Sequence, residues 1–437
     1  MPPATCRILL AAACVLAFVS KSDAIEAGLK QDFRVCQNGD GFVVLGAADG
    51  ARFFESAEAD TVIQFAIDAL GAEGGQVSLS RGEYPLNAPI VMKARVHLEG
   101  SGRATRLLVA ESNLAGIGIE ANKVNDFILS NLSLIAGANK AAKVGILIDA
   151  CRGAQIEDLF VAGFADYGIW MRNQAFMNEI TGCYLAGNRK VNLFLQKINL
   201  GGEAGELMPN LVSNCTIYGG GEGIKLSQAS VVNVVACSVY QTNGAAFYLE
   251  KWSNSVLLSG CRSFQITGPA VVVDGSMEFN ATGNIFCWHT EQGILLNNAR
   301  WGTITGNNII DSGSYNTGEK FAESSDRDAP EDLVLYDGVE MRGVHGYQVV
   351  ANNIFNWDAA PKMRNGVSED AKSRENLIAN NNINFYAKAD VTAKGDETEV
   401  HGNVALKDEA HVIMKDPTML QSFRTELTEE FIQSQLN

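Results

Sequence analysis

Gly223-Ile-Lys-Leu, Ala246-Phe-Tyr-Leu, Ala270-Val-Val-Val and Gly293-Ile-Leu-Leu are one short phrase repeated, each start 23 or 24 residues after the last. The phrase, a small residue followed by three mostly apolar ones, extends outward in both directions. It stands earlier at Gly116-Ile-Gly-Ile, Gly145-Ile-Leu-Ile, Gly168-Ile-Trp-Met and Asn192-Leu-Phe-Leu, and later at Gly338-Val-Glu-Met and, degenerately, Gly366-Val-Ser-Glu. Four intervals are longer, at 29, 31, 45 and 28 residues, and read as insertions into the repeat. A second mark follows most starts by about fourteen residues, at Asn131, Asp158, Cys183, Cys237, Cys261, Asn284, Asn307, Asn352 and Asn380, with Cys215 farther from its start and Asn403 beyond the last one.

A fixed period of this size is the signature of a stacked solenoid. Alternation and β-branched content make the unit strands rather than helices. A coil of three short strands, each winding onto the one before, is a right-handed parallel β-helix, here of about 10–12 coils. The fold class is thus all-β, with coils hydrogen-bonded about 4.8 Å apart. Any residue type repeated at one place of the coil then stacks on itself. An Asn there passes amide hydrogen bonds along the stack, and the four consecutive Cys mark a buried, apolar part of it. They are expected as free thiols, because their spacing follows the Asn positions.

The 437 residues are 46% hydrophobic and 19% charged, an ordered globular composition. A net charge of −16 makes nucleic acid and anionic membranes poor partners. Residues 1–24 read as a signal peptide: Arg7, the apolar run Ile8 to Val19, then Ser22-Asp23-Ala24. That run is short for a bilayer span and no other stretch is a candidate, so a secreted or periplasmic location is expected. Cys6 and Cys14 fall within this leader, and Cys36, Cys151 and Cys287 have no evident partner. No Cys/His spacing suggests a metal site. The expected layout is 25–110 as an N-terminal cap with the first coils, 111–406 as the β-helix and 407–437 as a C-terminal helical segment.

In order, residues 25–58 read as an irregular lead-in. Asp60-Thr61 is expected to cap a helix over Val62 to Leu70 that plugs the open end of the solenoid. Short strands follow at Gln76-Val-Ser-Leu, Gly82-Glu-Tyr-Pro-Leu, Pro89-Ile-Val-Met and Val96-His-Leu-Glu. At the far end Asp416-Pro-Thr opens an amphipathic helix with Leu420, Phe423, Leu427 and Phe431 as its stripe.

The run Asp60-Thr-Val-Ile-Gln-Phe-Ala-Ile-Asp-Ala, then Gly74-Gly-Gln-Val-Ser-Leu, Gly82-Glu-Tyr and Leu98-Glu-Gly-Ser-Gly, resembles the opening segment of the pectate-lyase-like β-helix superfamily. The likeness is close over about residues 40–110 and only a pattern beyond. It implies the fold. For activity it implies only a range: polysaccharide lyases, glycoside hydrolases, epimerases, fructan-cleaving transferases and tailspikes. Leu79-Ser-Arg-Gly departs from that superfamily's usual Leu-Pro-x-Gly, and the Asp-pair and Gly-His-Gly motifs of polygalacturonases are absent.

Chemistry is expected on one face. In each coil's opening strand the second and fourth places are apolar and face in, so the third and fifth face out. The third places are Leu147, Trp170, Phe194, Lys225, Tyr248, Val272, Leu295 and Glu340; the fifth are Asp149, Arg172, Gln196, Ser227, Glu250, Asp274, Asn297 and Arg342. Insertions within Lys197–Asn210 and Asp311–Asp337 border that face and would make it a groove. Trp170, Arg172, Phe194, Tyr248, Glu340 and Arg342 are the candidate substrate-binding residues for an extended glycan. Glu250 and Asp274, on adjacent coils, are the candidate catalytic pair of a glycoside hydrolase. Lys225 is a further candidate, and His289, Glu291 and Glu222, read as loop residues preceding these strands, are lesser acids or bases. A cation-assisted lyase would instead use Lys225, Arg172 or Lys251 as base, with Glu250 and Asp274 holding calcium. Two non-catalytic alternatives stand beside these: a glycan-binding or adhesion β-helix, and a tailspike-like homotrimer.

Overall fold

The computed structural model describes residues 32–137, 141–199, 208–313, 335–356, 363–384 and 386–406. The expected leader, the C-terminal helix and most of both insertions lie outside them. The described chain winds into three parallel sheets of 16, 13 and 12 strands, here sheets 1, 2 and 3. One coil shows the plan: Ile294–Asn297 in sheet 3, Thr303–Thr305 in sheet 1, Asn308–Ser312 in sheet 2. Each strand pairs with its counterpart one coil away; Ile294 partners Val271 behind it and Val339 ahead.

The alternation works as the pattern requires. Phe247, Leu249, Val271, Val273, Ile294, Leu296, Val339 and Met341 are buried in one continuous core, while the residues between them look outward. The small first place of the phrase also has a steric cause. A β-carbon on Gly293 would lie 2.2 Å from Cγ2 of Ile309 and 2.6 Å from the Gly338 carbonyl oxygen; one on Gly338 would meet Cγ2 of Ile354 at 2.3 Å. Here sheets 2 and 3 converge too closely for a side chain at these positions. Gly293→Val is expected to cost about 3 kcal/mol, read as a lower denaturant midpoint at constant slope.

The stacked position needs a correction of one residue in three coils. Asn131, Asp158 and Asn380 have φ of 55°, 52° and 57° and form the left-handed corner itself. Gly182, Gly260, Gly283 and Gly306 take the same corner in other coils. The residue that stacks comes next, giving Leu132, Leu159, Cys183, Cys215, Cys237, Cys261, Asn284, Asn307, Asn352, Asn381 and Asn403. Asn tolerates the left-handed corner and also suits the stack, which is why the two places are confused in a sequence. The amides form a ladder: Asn307 Nδ2 donates to Asn352 Oδ1 (2.9 Å), and Asn352 Nδ2 to Asn381 Oδ1 (3.0 Å). Each also donates back to the preceding coil, as Asn352 does to the Ile304 carbonyl (2.9 Å). The Cys column makes the same backward bond with a weaker donor, Cys261 Sγ to the Val234 carbonyl at 3.5 Å and Cys183 Sγ to that of Ile156 at 3.6 Å. All four thiols are buried and free, as are Cys151 and Cys287, and Cys36 is a free, half-buried thiol.

The N-terminal part is more regular than expected. Phe33–Asn38, Gly41–Gly46 and Arg52–Ser56 are an antiparallel meander that continues sheet 1. Helix α1 spans Ala59–Ala69 and packs Val62, Ile63, Ala66 and Ile67 on the core. Asp60 does not cap it. The N-cap is Glu58, without a side-chain bond, while Asp60 Oδ2 accepts the Ala88 N–H at 2.9 Å and so ties α1 to the following strands. Among the described residues no helix is long and apolar enough to cross a membrane.

Candidate functional site

Both outward columns of sheet 3 exist in the expected register. Leu147, Trp170, Phe194, Lys225, Tyr248, Val272, Leu295 and Glu340 are successive partners, and so are Asp149, Arg172, Gln196, Ser227, Glu250, Asp274, Asn297 and Arg342. Tyr248, Glu250 and Asp274 are half-buried on that one wall.

Its densest charge cluster is centred on Lys225. The ammonium lies 3.0 Å from Glu222 Oε2, 3.6 Å from Glu250 Oε2 and 4.3 Å from the centre of the Tyr248 ring. Lys251 Nζ approaches the other oxygen of Glu250 at 3.5 Å. On the next coil, Asp274 Oδ1 accepts from Asn297 Nδ2 at 2.7 Å. Burial raises the Glu222 carboxyl above its usual 4.5; Lys225 opposes this and the neighbouring Glu250 adds to it. The Tyr248 phenol is pushed up to about 12 by burial and then by the Glu250, Asp274 and Glu222 charges. A carboxyl biased toward its neutral form thus faces a second carboxylate across one ammonium.

Glu222 therefore belongs to this cluster through Lys225, although the sequence placed it among the lesser candidates. Its position follows from the run Gly219-Gly-Gly-Glu. β-Carbons on Gly220 and Gly221 would lie 2.3 Å from the Asn188 carbonyl oxygen and 2.1 Å from that of Lys190. Only glycines let the chain pass this close to the coil below and begin the strand at Glu222. Three glycines immediately before a strand were the signal available in the sequence.

The other candidates separate into distinct groups. Arg172 Nε binds Asp149 Oδ2 at 2.7 Å, and its guanidinium lies 4.3 Å from the Trp170 ring centre. Phe194 lies behind them with 6% of its surface accessible, packed between Trp170 and Tyr167, so it supports the wall and cannot be a sugar platform. At the far end Glu340 is bound by Arg342 (2.8 Å) and by Gln292 Nε2 (2.6 Å). Arg364 completes that group with two bonds to the buried Asp337, at 2.9 and 2.5 Å.

His289 is a correction. It is not in a loop beside the groove but ends the sheet 2 strand Ile285–His289, fully buried, with Nε2 3.4 Å from Ser263 Oγ. Burial draws its pKa down to about 3, so it is a neutral core residue. Glu291 is half-buried one coil beyond Asp274, and its charge bears on Tyr336 rather than joining the Lys225 cluster. Among the described residues no three His, Cys, Asp or Glu side chains converge as a metal ion would require.

Fold and wall together define a parallel β-helix carrying a polar and aromatic face on one sheet. Residues 115–286 match the family model described as the right handed beta helix region. Among solved structures, the A-module of mannuronan C-5 epimerase AlgE6 from Azotobacter vinelandii aligns with a TM-score of 0.68 at 16% identity, covering 80% of this chain and 96% of that one. A double mutant of the periplasmic alginate epimerase AlgG aligns at 0.57 and 13% identity, over 76% and 84% of the two chains. The Dettilon tailspike protein aligns at 0.58 and 14%, over 76% and 65%. At these identities the likeness is one of fold. No curated protein matches the sequence.

Proposed function

We propose that this is an exported carbohydrate-active enzyme that hydrolyses a polysaccharide lying along sheet 3. The observation that carries the reading is the Glu222–Lys225–Glu250 bracket, two carboxyl groups 3.0 and 3.6 Å from one ammonium, with burial raising the Glu222 carboxyl. Glycoside hydrolysis needs two carboxyl groups, one to protonate the leaving oxygen and one to act as base or nucleophile. Glu222 takes the first role. Glu250 takes the second, with Asp274 beside it on the next coil as the partner first expected from the sequence. Arg172 and Lys225, each seated over an aromatic ring of the wall, supply hydroxyl and carboxylate contacts together with Asn297 and Arg342.

A second reading draws on Tyr248 and Lys225 standing side by side, 4.3 Å from ammonium to ring centre. Those groups suit transfer of a proton at a uronate carbon, as in a lyase or an epimerase, and two of the structural neighbours are named as alginate epimerases. A periplasmic or extracellular site of action agrees with that neighbourhood and with the leader-like residues 1–24.

One polysaccharide panel, alginate included, separates the readings. Hydrolysis yields new reducing ends without ultraviolet absorbance. Elimination yields both, and epimerisation yields neither but changes the uronate composition. Binding with no chemical change assigns a non-catalytic glycan-binding β-helix and rejects the enzyme reading.

A further inference from the structure

We propose that Trp252 is the side wall of a sugar subsite next to Glu250, an assignment that rests on the polysaccharide reading above. Glu250 and Asp274 are partners in sheet 3, and Asn254 and Met277 are partners where the coil enters sheet 1. The turn between them holds Lys251, Trp252 and Ser253 in the first coil but only Gly275 and Ser276 in the next. The upper turn thus carries one residue more than its neighbour, and it spends its bulk on a large aromatic side chain that is 62% exposed. The backbone there is costly: Lys251 and Trp252 both have positive φ, 53° and 67°, a region a bulky side chain seldom takes. The turn is nevertheless well tied, with Lys251 N–H to the Asp274 carbonyl (3.1 Å) and Trp252 N–H to that of Gly275 (3.0 Å).

A largely exposed indole on a hydrogen-bonded turn, two residues from a cluster of ionisable groups, contributes little to folding. Trp301 shows the contrast. It too is exposed, at 52%, with φ 54°, but its ring lies over Gly346, where a β-carbon would come within 2.8 Å of it, and 6.2 Å from His345. Trp301 thus has a packing partner in the stack, whereas Trp252, two residues along the chain from Glu250, offers its surface to solvent. The ligand that fits is one pyranose ring of the glycan, resting its C–H face on the indole while its neighbour along the chain reaches Glu250.

The test is migration of the full chain through native gels cast with alginate, polygalacturonate, xylan or galactomannan. For whichever polymer retards the wild type, Trp252→Ala is expected to weaken retention about tenfold, equivalent to about 1.4 kcal/mol. Trp252→Phe keeps most of it, and Trp301→Ala migrates as wild type. The thermal midpoint of Trp252→Ala stays unchanged. Undiminished retention of Trp252→Ala, an equal loss in Trp301→Ala, or a lowered midpoint in Trp252→Ala overturns the assignment of Trp252 alone. A wild type retarded by none of the four polymers overturns it together with the polysaccharide reading.

Discussion

Glu222→Gln is expected to lower turnover on the true substrate by about 10²–10⁴-fold with little change in KM, the range for losing a general acid. The amide keeps the shape and a hydrogen bond to its surroundings but has no proton to give. The pH dependence supplies an independent check. Burial raises the wild-type carboxyl above its usual 4.5, so its acidic form persists to higher pH than a free Glu would allow, and activity falls as pH rises through that raised value. The variant's residual activity should lose this basic limb. Stability changes in a matched direction. A carboxyl whose folded pKa is raised contributes stability below its unfolded value, and that contribution is lost as pH rises through the folded one. Glu222→Gln should therefore be at least as stable as wild type at neutral pH while being nearly inactive. Undiminished turnover with an unchanged pH profile would remove Glu222 from the mechanism.

Asn352→Leu is expected to cost about 4 kcal/mol, seen as a lower midpoint in urea. The side chain is 2% exposed and all its hydrogen-bonding capacity is used. Nδ2 donates to the Ile304 carbonyl and to Asn381 Oδ1; Oδ1 accepts from the backbone N–H and the amide of Asn307, at 3.0 and 2.9 Å. Leu is similar in volume but leaves two donors on one side and a carbonyl on the other buried without their partner, while Asn381 Oδ1 keeps only the backbone N–H of residue 352. Each such group costs about 1–3 kcal/mol, moderated by local rearrangement. A loss below about 1 kcal/mol would show that the ladder is replaceable by packing alone.

The coil period, the inward places of sheet 3 and the register of its outward columns were legible because they depend on spacing along the chain. Asn131, Asp158 and Asn380 were misplaced by one because Asn and Asp suit both a left-handed corner and a polar neighbour. The placing of His289 failed for a different reason. The sheet 2 strand runs on to His289 because Ile266 of the coil below pairs with it, and that partner is 23 residues away in the chain. Phe194 had the right direction but the wrong exposure, since Trp170 and Tyr167 come from the preceding coil to cover it.

By itself, then, the sequence determined the solenoid, its interior and which residues share a wall, because a parallel coil of constant length turns chain distance directly into stacking. Only the tertiary structure decided which charges meet. Glu222, Lys225 and Glu250 come together through a glycine corner pressed against one coil and a strand supplied by the next, and the burial that distinguishes Glu222 arises from that packing rather than from any property of the residue alone.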